Sequence, residues 1–251
     1  MLEVVVLAAG RGTRMRSCLP KVLHTLAGQP LLSHVLNSAR QLAPARLHIV
    51  VGYGADEVQR AVAAPDVMFH HQSEQLGTGH AVLQGLPSCS PEATVLVLFG
   101  DVPLIDPEVL KRVVASGEDG PAVLAAKLDD PTGYGRILRS SNGDFRAVVE
   151  QKDASDDELR VSEVNTGVIA APATRLKELL HRVGNDNQQG EYYLPDILAL
   201  AVADGESVAV VTTEDALAIQ GINDRLQLEA LERMYQRRAA EQLMRDGVAL
   251  R

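Results

Sequence analysis

Gly10, Gly12, Arg14 and Lys21 are the residues of this chain whose types and spacing first suggest chemistry. They lie in Leu7-Ala8-Ala9-Gly10-Arg11-Gly12-Thr13-Arg14-Met15 and in the Pro20-Lys21 step that follows it. Two glycines let a backbone turn tightly with its N–H groups outward, and such a concavity fits an anion. A guanidinium and an ammonium beside it can neutralise charge that develops on transferring phosphate oxygens. The reading is a triphosphate cradle. A dinucleotide fingerprint is excluded because Met15 stands where its third glycine belongs, and a Walker loop because Gly-Lys-Ser/Thr is absent. Asp101, in Gly100-Asp101-Val102-Pro103, adds a short carboxylate suited to a hard cation.

These groups need a frame. Val4 to Leu7 reads as a buried strand that delivers the glycine turn, and Thr94 to Phe99 as another that delivers Asp101 to the crevice of an open α/β sheet. Leu31, Leu32, Val35, Leu36, Ala39 and Leu42 share one helical face after Pro30, and strands are expected at 47–51 and 67–70. Asp106-Pro107-Glu108 carries the cap, first-turn proline and acidic first turn of a helix. Apolar runs alternating with amphipathic segments predict a doubly wound, mainly parallel α/β sheet. From about 127 the pattern changes, and Asn142-Gly143 predicts an inserted hairpin. A strand at 165–171, helices at 175–183 and 194–203, a strand at 208–211 and a long helix opened by Asn223 complete the expectation. His70 and His71 are strand neighbours facing opposite ways, so they cannot converge on one metal.

With 251 residues, 46% of them hydrophobic, the chain can bury a full catalytic core. A formal charge of −9 argues against nonspecific nucleic-acid binding, which needs a cationic face. Cys18 and Cys89 form no CxxC pair, so a reducing cytoplasm is expected over a disulfide scaffold. No apolar run reaches membrane-spanning length, and no membrane insertion is expected.

Further stretches carry a resemblance: Gln72 to Ala81 (QSEQLGTGHA), Gly100 to Pro103, Asp130 to Arg136 (DPTGYGR), Glu150, Asn165-Thr166-Gly167, Gly190 to Tyr193 (GEYY) and Gly221-Ile222-Asn223. With the glycine turn, they resemble the sugar-nucleotide pyrophosphorylase family over Val4 to Arg251, most of all its N-acetylglucosamine-1-phosphate uridyltransferase domains. The resemblance implies a Rossmann-like nucleotidyltransferase fold and the reaction of UTP with N-acetylglucosamine 1-phosphate to give UDP-N-acetylglucosamine and pyrophosphate. It assigns catalysis to Arg14 and Lys21, and nucleotide binding to Leu7, Ala8, Ala9, Gly10, Gly12, Gln72, Gly77 and Thr78. Sugar binding falls to Gly135, Glu150, Asn165 and the Tyr192-Tyr193 pair, Tyr192 first, and Mg²⁺ to Asp101 and Asn223. Phe99 departs from the family, whose members commonly carry tyrosine before Gly-Asp, so no polar role is assigned to it.

The resemblance also implies a catalytic domain over 1–222, divided into a nucleotide part to about 126 and a sugar part from about 127, and a helix over 223–251 leading to an acetyltransferase domain beyond this chain. Uridyl transfer without acetyl transfer is therefore expected, with a trimeric parent protein and a monomeric piece. The alternatives are a pyrophosphorylase of other base or sugar specificity, a noncatalytic nucleotide-sugar sensor, and a nicotinamide oxidoreductase, which the broken fingerprint disfavours.

Overall fold

Leu2–Ala8 forms β1, buried from Glu3 to Ala8 as a strand covered on both faces must be, and its run of valines supplies the apolar surface for both. The structure, a computed structural model, describes residues 1–250. Two short 3-10 turns, Thr13–Met15 and Lys21–Leu23, and a small hairpin of β2 (Thr25–Leu26) and β3 (Gln29–Pro30) lead to α1 (Leu31–Arg40). Next come β4 (Arg46–Val51), α2 (Ala55–Val62), β5 (Val67–His71), α3 (Thr78–Gly85), β6 (Thr94–Phe99) and α4 (Pro107–Ser116). The second half holds β7 (Ala122–Lys127), β8 (Gly135–Arg139), β9 (Phe145–Val149), α5 (Asp156–Leu159), β10 (Glu163–Pro172), α6 (Ala173–Leu180), α7 (Asp196–Ala203), β11 (Ala209–Thr213) and α8 (Arg225–Arg245).

The sheet order is β11-β7-β10-β6-β1-β4-β5, with the β8–β9 hairpin paired to β10. β1 pairs in parallel with β4 and β6, and β4 with β5, so the first half is doubly wound as expected. β10 runs antiparallel to β6, β7 and β8, while β11 is parallel to β7. One face is covered by α1, α2 and α4 through Leu32, Val35, Val58 and Leu110. The other is covered by α3, α6 and α7 through Val82, Leu176, Leu179 and Ile197.

From β1 the chain winds outward to β5 and then returns to β6 on the other side of β1. This reversal of winding opens a crevice beyond the carboxyl ends of β1 and β6, where α/β sheets bind their ligands. The Gly10–Gly12 turn and Asp101 both lie at those ends.

The predicted strand at 94–99 and the Asp106 cap recur residue for residue, and Asp106 Oδ1 accepts from Glu108 N at 2.9 Å. α6 begins two residues before its predicted start because Pro172 closes β10 and occupies the position before the first turn. α8 is capped by Asp224, whose Oδ1 accepts from Gln227 N at 2.8 Å, and not by Asn223. Its first half is part of the domain: Leu231 packs with Met15, Leu26, Leu31 and Ile222, and Glu232 accepts from Ala27 N at 2.7 Å. From Gln236 onward the helix is largely exposed, with Leu243 and Met244 open to solvent. The helix ends at Arg245, and Arg251, the last residue of the expected helical segment, lies outside the described residues. No helix of the described residues is long and apolar enough to cross a membrane.

Candidate functional site

The crevice holds two adjoining cavities. The first is walled by Leu7, Ala8, Ala9 and Gly10 from the end of β1, by Gln72 after β5, and by Gly77 and Thr78 at the start of α3. The second is walled by Gly135, Glu150, Asn165, Tyr193, Gly221 and Asn223. Asp101, Phe99 and Thr78 line both, so they stand where the cavities meet.

At that junction Lys21 Nζ donates to Asp101 Oδ2 and, at 3.1 Å, to Asn223 Oδ1. Backbone contacts make this convergence: Gly100 N donates to Leu7 O at 2.9 Å, and Ile222 N donates to Asp101 O at 3.0 Å, which brings Asn223 across the sheet end. Lys21 and Asp101 are mostly buried, with side chains 15% and 16% exposed, so their attraction is only weakly screened. Because Asp224 caps α8, the Asn223 carbonyl is left free to accept from Lys21. A carboxylate and an amide oxygen converging on one ammonium form an oxygen-only donor set that fits a hard divalent cation.

Gly12 fixes where Lys21 starts. Its φ is +58°, and a Cβ there would stand 2.5 Å from Lys21 Cβ. Gly12→Ala therefore both strains the turn, by roughly 1 kcal/mol, and pushes the Lys21 stem away from Asp101. We expect kcat to fall about 10- to 100-fold, since misplacement near 1 Å costs that much, together with a lowered Tm. Gly10 has open space around its Cβ position, so Gly10→Ala leaves Tm unchanged in the same unfolding experiment.

Gln72 is 3% exposed, and its amide nitrogen lies 3.2 Å from Gly77 O and 3.0 Å from His80 Nδ1. Its donors are thus turned inward, and Oε1 is the group left to read a ligand. Gly77 has φ +109°, and a Cβ on it would meet Tyr192 O at 2.6 Å. The Gly77–Thr78 backbone is held by that neighbouring segment, with Gly79 N donating to Tyr192 O at 2.8 Å and Leu194 N to Thr78 Oγ1 at 3.0 Å.

In the second cavity Asn165 is 6% exposed, and its Oδ1 accepts from Gly167 N at 3.0 Å, which leaves its Nδ2 to donate. The register of β10 against β7 shifts between Asn165 and Ile169, and this irregularity turns Asn165, Thr166 and Gly167 toward the cavity. Glu150 backs onto Gly135, and burial, then the Asp196 and Asp153 charges, raise its carboxyl above the usual range.

Asp196 shares that acidic corner, and burial followed by the Asp153 charge pushes it from 3.8 up to about 6. A raised carboxyl favours the fold in its protonated form: the contribution is complete below pH 3.8 and is lost as pH rises through about 6. Discounted for partial exposure, the loss at neutral pH is about 1 kcal/mol, of which roughly half is offset by a carboxylate's favourable place at a helix start. Asp196→Asn should therefore raise Tm at pH 7.5 by about 1–3 °C and bring no gain at pH 4, as thermal unfolding at both pH values will show.

Three of the residues picked out in the sequence do not line these cavities. Gly12 lies behind the first of them, against the Lys21 stem. Arg14 is exposed and lines a separate groove with Arg16, Asp224 and Arg225. The turn carrying it is left-handed at both flanks, Gly12 at φ +58° and Arg16 at φ +48°, and Arg225 Nε donates to Met15 O at 3.0 Å, so Arg14 faces the start of α8. Tyr192 supports Gly77 through its backbone, whereas Tyr193, 7% exposed, lines the second cavity with its hydroxyl accepting from Gln189 Nε2 at 2.7 Å. Sequence reasoning gave no site role to Gln75, Phe99 or Tyr134, which line the cavities, although Gln75 lies in QSEQLGTGHA and Tyr134 in DPTGYGR.

Residues 4–249 match the family described as the MobA-like NTP transferase domain. The bifunctional protein GlmU of Pseudomonas paraeruginosa is 54% identical over 250 residues, which are 99% of this chain and 55% of that protein. The bifunctional protein GlmU of Azotobacter vinelandii is 54% identical over 251 residues, 100% of this chain and 55% of its own length. The chain thus spans about half the length of the curated relatives it matches. Among solved structures, a nucleotidyl transferase from Methanothermobacter thermautotroptrophicus aligns with TM-score 0.67 at 20% identity, covering 94% of this chain and 98% of that one. A UDP-glucose pyrophosphorylase complexed with UDP-glucose aligns with TM-score 0.76 at 16% identity, with the same coverage of 94% and 98%. At these identities the two structures speak to the fold alone.

Proposed function

Because this chain belongs to the MobA-like NTP transferase family, we propose that it transfers UMP from UTP to N-acetylglucosamine 1-phosphate, releasing pyrophosphate and UDP-N-acetylglucosamine. The observation that carries the proposal is the meeting of Lys21, Asp101 and Asn223 at the junction of two cavities, one for each reactant. The 54% identity to bifunctional GlmU proteins over the whole chain supports the choice of base and sugar.

The phosphate oxygen of the sugar phosphate attacks the α-phosphorus of UTP in line. A new P–O bond forms, and the bond from the α-phosphorus to the bridging oxygen breaks with its electron pair on pyrophosphate. No covalent intermediate on the protein is needed, and positioning with charge stabilisation supplies the rate. The first cavity holds the nucleotide, with Gln72 Oε1 accepting from the imide N–H of uracil, a donor that cytosine lacks at that position. The second holds the sugar, with Glu150 accepting from hydroxyls and Asn165 Nδ2 donating to a hydroxyl or the acetamido oxygen. Lys21, on a flexible stem, turns its ammonium to the phosphates and meets the charge that develops on them. Asp101 and Asn223 would hold a divalent cation, Mg²⁺ in this reading, which when bound supplies neutralisation between the two anionic reactants. Arg14 faces α8 and reaches the leaving pyrophosphate only by movement of its exposed turn. The two cysteines, one exposed and one buried and both unpaired, suit a reducing cytoplasm.

A panel of UTP, CTP, GTP and dTTP against N-acetylglucosamine 1-phosphate and glucose 1-phosphate, followed by pyrophosphate release, tests the reading. UTP with the acetamido sugar should exceed every other pair by at least tenfold in kcat/KM. Faster turnover with another pair reassigns the specificity, and tight UDP-sugar binding without turnover removes the enzyme reading.

A further inference from the structure

At the opposite end of the sheet, the amino ends of β1 and β4, a second group of reactive side chains is buried together. Glu3, His48 and Cys89 are 6%, 0% and 9% exposed, and one donor atom from each lies within 4.8 Å of the others. Register explains the meeting. Val5 is opposite His48 in the β1–β4 ladder and Val50 is opposite His70 in the β4–β5 ladder, so Glu3, His48 and His70 share one sheet face on three adjacent strands. Cys89 comes down on that face at the end of the turn that follows α3.

We propose that Glu3, His48 and Cys89 form a binding site for a thiophilic divalent metal of the Zn²⁺ class, separate from the cation position at Asp101 and Asn223. The donor set is sulfur, imidazole nitrogen and carboxylate oxygen, which suits Zn²⁺ and disfavours Mg²⁺. Charge balance also suits a buried place: a divalent ion with one thiolate, one carboxylate and one neutral imidazole has no net charge. Two of the three ligands already have an outer partner that fixes their direction. Ser90 N donates to Glu3 Oε1 at 3.1 Å, which leaves Oε2 for the ion, and His48 Nδ1 lies 3.0 Å from His70 Nε2, which leaves His48 Nε2 for it. Metal-binding histidines are oriented by a partner on the other ring nitrogen in this way.

Without an ion, His48 Nε2 lies 2.7 Å from Glu3 Oε2 and the two satisfy each other. Binding requires these atoms to part, and Cys89 Sγ to approach, by about 1 Å each to reach tetrahedral ligand spacing. With the ion on Nε2, His48 carries its proton on Nδ1 and donates it to His70 Nε2, so His70 holds its own proton on Nδ1 as well. Cys89 enters as a thiol, and its proton leaves to solvent as the metal–sulfur bond forms. A groove lined by Glu3, Arg46, Met68, Ser88, Cys89 and Ser90 opens onto these atoms, and it is the side from which an ion and a solvent ligand for its fourth position would arrive.

Cobalt(II) is the probe, added to the full chain in saturating Mg²⁺ so that the oxygen site is occupied. One equivalent should bring a near-ultraviolet sulfur-to-cobalt charge-transfer band and intense visible tetrahedral bands, both removed by Zn²⁺. The band should vanish in Cys89→Ser, persist in Cys18→Ser, and need about 10- to 100-fold more cobalt in His70→Gln, which alters only the outer partner. Absence of the band in the unaltered protein, its survival in Cys89→Ser, or its loss in Cys18→Ser overturns the proposal. The readout is absorption by a sulfur ligand, so it stands or falls independently of the transfer reaction.

Discussion

Lys21→Ala lowers kcat for pyrophosphate release by about 10³-fold, the upper range for removing one preorganised charge donor, while Tm changes by no more than a few degrees. The magnitude follows from position. Lys21 is the one Lys or Arg among the described residues lining either cavity and its ammonium is mostly shielded from water, so its effect on phosphate charge is only weakly screened. The stem packs against Gly12, and removing it exposes rather than strains that turn. A second consequence separates this role from a structural one. In the structure the ammonium lies against both Asp101 Oδ2 and Asn223 Oδ1, so a divalent cation must compete with it for those oxygens. Lys21→Ala should therefore bind Mn²⁺, as a spectroscopic substitute for Mg²⁺, at least as tightly as the unaltered protein while turning over far more slowly. A variant with kcat within tenfold of normal removes Lys21 from the reaction.

The parts of the fold that are legible in the sequence are those set by local chemistry. Thr94–Phe99 is a strand because six apolar or β-branched residues end at a glycine, and Asp106-Pro107-Glu108 starts a helix because cap, fixed φ and dipole agree within three residues. Asn142-Gly143 marks the β8–β9 turn for the same reason. Placement across the chain is not legible by those means. Arg14 sits beside Lys21's segment in sequence, yet a turn with left-handed residues at both ends directs it to α8, and nothing in spacing reports that direction. Tyr192 and Tyr193 are adjacent, and which of them lines a cavity is decided by a backbone contact with Gly79, far away in sequence. Strand alternation is enough to separate His70 from His71, but the actual neighbour of His70, His48 on the next strand, depends on a register that only pairing sets. The acetamido-sugar residues are reached through family likeness alone, since an isolated glutamate or asparagine carries no mark of its role.

Asp101→Ala should lower kcat by about 10³-fold or more as well, because residues that act on one transition state fail together, but with the opposite effect on metal binding. The carboxylate is the charged member of the oxygen pair, and Asn223 alone offers a single neutral carbonyl, too little for a cation that ordinarily takes one or two carboxylates with its waters. Mn²⁺ affinity should thus fall by at least tenfold in Asp101→Ala while it holds or rises in Lys21→Ala. The change also leaves a mostly buried ammonium with only the Asn223 amide as partner. The penalty for that stays moderate because lysine's long stem can carry its charge to solvent, so a Tm loss of a few degrees is expected, not unfolding. The double variant completes the argument. If both side chains serve one phosphoryl transfer, Lys21→Ala/Asp101→Ala loses far less than the product of the two single losses, and the cycle returns a large coupling energy. Independent, multiplying losses would mean that the ion pair seen at the cavity junction is structural and that each residue acts elsewhere.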